Sequence, residues 1–203
     1  MYRIIFATGN AGKMKEIREI LSDLGAEILS MKEAGIRADI VEDGNTFEEN
    51  ALIKAKAVAA LLPEGSNTAV LADDSGLEID YLDGEPGIYS ARYMGEDTSY
   101  RIKNANLIQR LAGVPVEKRT ARFVCAIAAA FPDGSTVIRR GVIEGKIGYE
   151  ERGENGFGYD PIFYLPDMSR TTAELSPEEK NSISHRGRAL QAVKEDLAER
   201  MKA

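Results

Sequence analysis

Apolar residues recur along this chain with two spacings, one typical of strands and the other typical of helices. The mostly apolar segment from Arg3 to Ala7 runs into a turn of small residues at Thr8–Lys13, so it predicts a first strand. The next apolar positions have the spacing of one helical face, at Met14, Ile17, Ile20, Leu21 and Leu24. A second short strand is predicted at Glu27–Ser30, which completes a strand–helix–strand unit typical of α/β folds.

Further helices are indicated where capping residues precede apolar periodicity. Thr46–Glu49 has the spacing of a capping box and predicts the start of an Ala-rich helix. Asp97 or Thr98 is expected to cap a helix that reaches Leu111. Ser176–Glu179 predicts another helix start, with proline at the first helical position. The final predicted helix carries its apolar residues at Leu190, Val193, Leu197 and Met201.

The remaining apolar runs predict strands at Thr68–Asp73, Leu77–Leu82, Ala121–Phe131, Thr136–Ile147 and Tyr159–Leu165. A tight turn at Asp73–Gly76 is expected between the first two of these strands. The turn sequence Pro132–Ser135 predicts that the third and fourth form a long hairpin. Helices and strands therefore alternate in a mixed α/β fold.

Composition narrows the class of protein. The chain has 203 residues, 43% of them hydrophobic, which suits one large domain or two closely packed lobes. Its longest apolar run, Phe123–Phe131, is far shorter than the roughly 20 residues of a membrane helix. The single cysteine, Cys125, cannot form an internal disulfide and is expected to be buried, so we expect a cytoplasmic protein. A net charge of −7 argues against nucleic acid as a partner but leaves small phosphorylated ligands open.

The turn after the first strand is a candidate phosphate site. It consists of Thr8, Gly9, Asn10, Ala11, Gly12 and Lys13. A helix that begins here presents free backbone N–H groups and a positive dipole end to an anion, and Lys13 adds a charge. It is not a Walker A loop, because its glycines are too close together and Met14 stands where Ser or Thr is required. The alternative is an ordinary helix start.

Carboxylates form the second candidate site. Glu42 precedes one helix, and the apolar run Ala69–Ala72 leads directly to Asp73 and Asp74. Ligands of open α/β sheets bind at the carboxyl ends of strands, whereas the alternative is that these acids are solvated turn residues. Without a His or Cys cluster, a metal held here would be a hard cation, Mg²⁺ or in its place Mn²⁺. Lys54 is expected to contact the substrate.

A glycine-flanked loop, Gly156–Pro161, is a third candidate. Its aromatic residues suit stacking on a planar base while Asp160 accepts a ring N–H, although a turn filled by aromatic side chains is the alternative. Lys180 and the segment Ser184–Gly187, which holds the only histidine, follow near the C-terminus.

The order of these motifs resembles the inosine/xanthosine triphosphate pyrophosphatase family. The matching segments are Ala7–Asn10 with Lys13 and Glu16, Glu42–Gly44 with Thr46–Phe47 and Glu49–Ala51, Ala72–Leu77, Pro86–Arg92, Ala121–Phe123, Gly156–Pro161 and Ser184–Arg186. The resemblance extends from about Ile4 to Leu190. It implies a single domain, residues 1–203, whose mixed central sheet forms two α/β lobes around a long nucleotide-binding cleft, and it implies a homodimer.

The resemblance also implies an activity and roles for residues. The family cleaves ITP, dITP and XTP between the α- and β-phosphates with Mg²⁺, which removes abnormal purine nucleotides from the nucleotide pool. It places Thr8–Lys13 on the phosphates, Glu42 and Asp74 on the metal, and Ser75 on the substrate. Asp74 is also the expected catalytic base, although Asp73 is an alternative base and a further candidate metal ligand.

The nucleoside site implied by the resemblance comprises Phe157, Gly158, Tyr159, Asp160, Lys180, His185 and Arg186. Donors from Arg186 or a protonated His185 would pair with a C6 oxygen and oppose the amino group of adenine. Two other readings remain at this point. One is the related Maf-type pyrophosphatase, which acts on pyrimidine or modified nucleotides, and the other is a nucleotide-binding module without catalysis.

Overall fold

Seven strands and five α-helices make up residues 2–200, the part of the chain that the computed structural model describes, and they alternate as far as α3. The strands are β1 (Arg3–Phe6), β2 (Glu27–Ser30), β3 (Thr68–Ile79), β4 (Thr120–Ala130), β5 (Thr136–Ile147), β6 (Phe163–Leu165) and β7 (Arg170–Thr171). The helices are α1 (Ala11–Ile20), α2 (Phe47–Ala59), α3 (Tyr100–Arg110), α4 (Pro177–Ile183) and α5 (His185–Arg200). The predicted mixed α/β class is confirmed.

All seven strands belong to one mixed sheet in the order β2-β1-β3-β4-β5-β6-β7. β1 runs parallel to both of its neighbours, and Ile5 is paired with Leu29 on one side and Val70 on the other. β6 is antiparallel to β5 and to β7. Because β1 and β3 are parallel, the loop that follows Phe6 and the residues that follow Leu71 lie at the same end of these strands.

Two compact units can be distinguished in the chain. The first unit comprises residues 2–74, 125–141 and 186–200, and the second comprises residues 75–124 and 142–185. Each has its own hydrophobic core.

The core of the first unit is built from the predicted helical faces. Met14, Ile17 and Leu21 of the α1 region are buried in it, and Ile20 and Leu24 pack against its edge. α5 contributes Ala189, Leu190, Val193 and Leu197 to the same core. The fourth apolar position predicted for this helix, Met201, lies outside the described residues. Cys125 is buried in this core, as expected.

The core of the second unit packs α3 against the strands. Leu107 and Leu111 are fully buried there, and the rings of Phe123 and Phe163 lie 4.3 Å apart. Arg119 is also fully buried, and its guanidinium donates to the carbonyl oxygens of residues 111, 147 and 148 at 2.7–2.8 Å. Because three carbonyl groups satisfy its donors, this charge is tolerated in the interior.

Three predictions of strand boundaries are wrong. The predicted strand Leu77–Leu82 is part of β3, which ends at Ile79, and residues 80–82 form a short 3-10 helix. The expected turn at Asp73–Gly76 does not form. Instead, β3 continues without a break from Thr68 to Ile79. Turn-forming residues are held in a strand here by their tertiary contacts, which override local preference. The predicted strand Tyr159–Leu165 is also too long, since residues 160–162 form a short 3-10 helix before β6.

The helices α2, α3 and α4 begin at or within two residues of the capping residues predicted for them. The predicted cap of α3, Asp97 or Thr98, is wrong, because the Ser99 side chain caps the helix by accepting from the backbone N–H of Ile102. The Ser176 side chain and Glu179 form the complete capping box predicted for α4. At α2, Thr46 caps the helix as expected, but Glu49 accepts from the backbone N–H of Asn45. Within the described residues, no helix combines the length and the apolar composition needed to cross a membrane.

The backbone at Gly153 makes a close approach that only glycine permits. Gly153 has a φ of +86°, and a Cβ atom there would overlap the backbone carbonyl of Ala173. Gly134 has a similar φ of +80°, but its Cβ position is open. We predict that Gly153→Ala lowers the free energy of unfolding by roughly 1–3 kcal/mol more than Gly134→Ala, because overpacking adds to the shared conformational cost. Denaturant titration of both variants measures the difference, and equal losses would contradict the close approach.

Candidate active site

The loop between β1 and α1 is shaped by its own side chains. The Thr8 hydroxyl accepts from the backbone N–H of Asn10 at 3.1 Å, and the Asn10 side chain caps α1 by accepting from the N–H of Lys13 at 3.0 Å. Gly9, Asn10 and Ala11 are exposed. The first turn of a helix leaves backbone N–H groups without helical partners, so this exposed loop is suited to an anion.

Asp73 is the centre of a buried ion network in the first unit. Its side chain is fully buried, and one oxygen accepts from Lys13 Nζ at 2.5 Å. The other oxygen accepts from Nε and Nη2 of Arg186, each at 3.1 Å, while Nη1 of Arg186 donates to Glu16. The Sγ of Cys125 also lies 3.5 Å from Asp73. A side chain from β3 therefore fixes a cation from α1 and another from α5.

The charges of this network stabilise one another. Burial alone would raise the pKa of Asp73, but the Lys13 and Arg186 charges outweigh it and hold that pKa well below its usual range. Burial would lower the pKa of Arg186, yet the Asp73 carboxylate keeps it above its usual range. Asp73 is therefore ionised and committed to two cations. This geometry favours a positioning role for Asp73 over the predicted roles of metal ligand or base.

Asp74 faces a different set of groups. Lys54, on α2, lies with its Nζ 2.9 Å from Glu42 Oε2 and 3.8 Å from Asp74 Oδ1. The Glu42 side chain is 31% exposed and that of Asp74 is 11% exposed. The structure thus brings together two predicted metal ligands and the predicted substrate contact Lys54. Within residues 2–200, no three side chains of His, Cys, Asp or Glu converge as a metal cage on their own.

The pKa of Asp74 is shifted in the direction opposite to that of Asp73. Burial raises it to about 6, and repulsion from Glu42 acts in the same direction. Lys54, Lys13 and a hydrogen bond from Asn50 partly offset the rise. Asp74 is therefore poised to exchange a proton near neutral pH.

Asn50 fixes the segment that carries Glu42. This buried residue of α2 accepts from the backbone N–H of Gly44 through its Oδ1 at 2.9 Å. A Cβ atom at Gly44 would lie only 2.7 Å from the same Oδ1, so the close approach requires glycine. Asn50 and Lys54 are four residues apart on α2 and so share a helical face, but the sequence alone did not predict this role for Asn50.

In the second unit, Asp160 organises the glycine-flanked loop. One oxygen accepts from the backbone N–H of Phe157 at 2.9 Å and from Lys180 Nζ at 2.6 Å. The other accepts from the Thr172 hydroxyl at 2.8 Å. Gly156 has a φ of +70°, and a Cβ atom there would overlap the Asp160 carboxylate. Asp160 is thus a buried structural acid as well as a predicted nucleoside contact, and Thr172, a residue type with no motif signal, was missed.

The two aromatic residues of this loop have different environments. Phe157 is half-buried, with the Lys180 ammonium 5.0 Å from its ring centroid. Tyr159 is buried, and its hydroxyl donates to the carbonyl of Ser90 at 2.6 Å. Of the two rings, Phe157 is the one with exposed surface for a base.

The remaining predicted contacts lie next to unit boundaries in the chain. Ser75, the first residue of the second unit, is half-buried and directly follows Asp74. His185, the last residue of that unit, is buried and stacks on Phe123 with ring centroids 4.8 Å apart. Arg186 follows it in the chain, but its guanidinium is directed to Asp73 and Glu16 in the first unit.

These features define a class of protein. It is an α/β protein in which the parallel strands β1 and β3 lead to a helix-start loop with Lys13 and to Asp73 and Asp74, a set of groups suited to a phosphorylated ligand. Comparison with known sequences makes the class specific, because the Ham1 family profile matches residues 4–196. The chain belongs to the Ham1 family, which confirms the resemblance found in the sequence.

Individual relatives are similar over nearly the whole chain. A dITP/XTP pyrophosphatase of Exiguobacterium sibiricum is 50% identical over 195 residues, 96% of this chain and 96% of its own. One from Clostridium perfringens is 48% identical over 199 residues, 97% of this chain and 98% of its own. The solved structure of a HAM1 protein from Coxiella burnetii is 42% identical, with a TM-score of 0.84 over 98% of this chain and 100% of that one.

The buried ion network around Asp73 predicts that removal of the Asp73 charge strongly destabilises the protein. Asp73→Asn removes the charge that compensates Lys13 and Arg186, so we expect the free energy of unfolding to fall by roughly 3–5 kcal/mol. The control is Glu27→Gln, which breaks an exposed 2.9 Å ion pair with Arg3 and should cost less than about 1 kcal/mol. Urea titration at pH 7 compares them, and a similar small loss in both would show that the network contributes little.

The raised pKa of Asp74 predicts that the free energy of unfolding of the metal-free protein depends on pH. Its pKa of about 6 in the fold exceeds the value near 4 of an unfolded aspartate. The resulting stabilisation is complete below about pH 4 and is lost as the pH rises through 6. Asp74→Asn should match the wild type at pH 4 and exceed it by about 3 kcal/mol at pH 8. Urea titrations with a chelator test this, and a pH-independent difference would contradict it.

Proposed function

We propose that this protein hydrolyses ITP, dITP and XTP to the nucleoside monophosphate and pyrophosphate, and so cleanses the nucleotide pool. The observation that carries the proposal is the pairing of Glu42 with Asp74 around Lys54, beside the Asp73-held Lys13. The names of the relatives, dITP/XTP pyrophosphatase, support it.

The donor set of the first unit fits a divalent metal. Glu42 and Asp74 supply carboxylate oxygens, and Mg²⁺ is held in such enzymes by one or two carboxylates together with substrate phosphates and water. The absence of a three-residue cage among the described residues is therefore compatible with Mg²⁺, and Mn²⁺ could replace it. When bound, the metal would neutralise phosphate charge and lower the pKa of a bound water.

The chain's own groups then account for the steps of hydrolysis. The water oxygen attacks the α-phosphorus, the bond from that phosphorus to its bridging oxygen breaks, and pyrophosphate departs. Asp74 accepts the proton of the water, because Asp73 is held ionised by its two cations and is a poor base. The backbone N–H groups of Thr8–Lys13 and the Lys13 ammonium stabilise the charge that develops on the pyrophosphate.

Asp74 has two proposed roles that oppose each other. A carboxylate bound directly to a cation has a lowered pKa and is a weaker base. Its pKa of about 6 in the metal-free site leaves room for such a decrease while it remains the more basic of the two aspartates. Asp74 therefore remains our candidate for both functions.

We assign base recognition to the second unit. The exposed part of Phe157 would stack on the purine, and donors of Lys180 and His185 would favour an oxo group at C6 over the amino group of adenine. Arg186, expected from the sequence to read the base, is already engaged with Asp73 and Glu16. We therefore propose that Arg186 positions the phosphate site.

The proposed substrate and the net charge of the chain also bear on its compartment and its partners. We propose a cytoplasmic homodimer of single-domain, two-lobed chains that acts on free nucleotides. The net charge of −7 opposes binding to nucleic acid or to anionic membrane surfaces.

Pyrophosphate release with Mg²⁺ from ITP, dITP, XTP, ATP, GTP and dTTP tests the proposal. We predict that the first three are preferred, and that Asp74→Asn lowers kcat by at least about 10²-fold while nucleotide binding persists. Asp167→Asn, at an exposed position, is the matched control. A preference for dTTP would instead indicate the Maf-type activity, and binding without pyrophosphate release would indicate a non-catalytic module.

A further inference from the structure

One face of α3 is polar and yet buried. Tyr100, Lys103 and Asn104 have the i, i+3, i+4 spacing that places side chains on a common helical face. Lys103 and Asn104 are each only 1% exposed. Burying an amide or an ammonium group is costly unless it is hydrogen-bonded, so the partners of these groups indicate what the face does.

Asn104 is bonded to the glycine-flanked loop. Its Nδ2 donates to the carbonyl oxygen of Gly158 at 3.3 Å and to Oε1 of Glu151 at 2.8 Å. Both partners are acceptors, so this position requires an amide nitrogen with two N–H donors. An aspartate of the same shape could not make either bond.

The neighbouring residues of the face reach the same region of the second unit. The Tyr100 ring packs edge-on against Tyr159 with centroids 5.1 Å apart. Lys103 Nζ donates to the carbonyl of Ala91 at 2.7 Å, and the preceding carbonyl, of Ser90, accepts from the Tyr159 hydroxyl. The face of α3 thus contacts both the 90–91 segment and the 158–159 segment.

Phe157 is the residue whose backbone depends most on these anchors. It lies between two glycines of positive φ, +70° at Gly156 and +68° at Gly158, where the chain has unusual conformational freedom. Asp160 anchors one side by accepting from the Phe157 N–H, and Asn104 anchors the other by donating to the carbonyl of the following residue, Gly158. The backbone is therefore held by a side chain on each side of Phe157.

We infer that Asn104 is a positioning residue for base selectivity, which acts by holding the Gly158 carbonyl and thereby orienting Phe157. The inference rests on the proposed function, since it assigns Phe157 to the base. The proposed function assigns the reacting phosphates to the first unit, whereas Glu151 and Gly158, the partners of Asn104, belong to the second. Its loss should therefore alter discrimination between bases more than the chemical step.

The principal test is Asn104→Leu, which keeps a similar volume and removes both donors. The measurement is the ratio of kcat/KM for XTP to kcat/KM for ATP, which does not depend on how much of the variant is folded. We expect this ratio to fall about tenfold or more, mainly through a higher KM for XTP, because displacement of a substrate-positioning group is costly. Asn106→Leu is the control on the same helix, since Asn106 instead accepts from the Tyr93 hydroxyl at 2.7 Å.

A double variant separates the Gly158 bond from the Glu151 bond. Asn104→Asp combined with Glu151→Gln reverses the donor and acceptor between these two positions but leaves the Gly158 carbonyl facing an acceptor. We expect the selectivity ratio to stay low. A ratio restored to the wild-type value in the double variant, or unchanged in Asn104→Leu, would overturn the inference. A wild-type protein that releases no pyrophosphate from XTP would instead refute the proposed function.

Discussion

The carboxylate of Asp73, fully buried between two cations, is the constraint on which the first unit's site depends. Burial of an isolated charge is prohibitive, so Asp73 can occupy β3 only if Lys13 and Arg186 are held against it. Those residues come from α1 and α5, at opposite ends of the chain. Glu16 then balances the second cation. The position of Lys13, which would face the phosphates, is therefore a consequence of a charge balance inside the fold.

The alternation of side chains along a strand explains how two adjacent aspartates acquire opposite properties. Consecutive residues of β3 point to opposite faces, so Asp73 meets Lys13 and Arg186 while Asp74 meets Lys54 and Glu42. The compensated acid has a depressed pKa, and the less compensated one has a pKa raised to about 6. A turn at this position, as local preference predicted, would not impose that separation.

Periodicity and capping signals were sufficient to predict most of the fold. The faces of α1 and α5 and the hairpin of β4 and β5 follow from apolar spacing, which directly reflects burial. The continuity of β3 could not be predicted in this way, because local spacing does not reveal the contacts that Asp73 makes with residues 60 and 113 positions away. The contacts of Arg186 could not be predicted either, since its partners Asp73 and Glu16 lie far from it in the sequence.

Candidate site residues that were found from motifs therefore differ in whether their polar atoms already have hydrogen-bond partners inside the protein. Asp160 repeats in the second unit what Asp73 does in the first, since both of its oxygens are bonded inside the protein. Both acids therefore have structural partners already, and a ligand bound to either one would share the carboxylate with them. Under the proposed function, the groups that they position, the Lys13 ammonium and the exposed part of Phe157, would contact the substrate. A motif can thus mark a site correctly and still contain residues that act only through their neighbours.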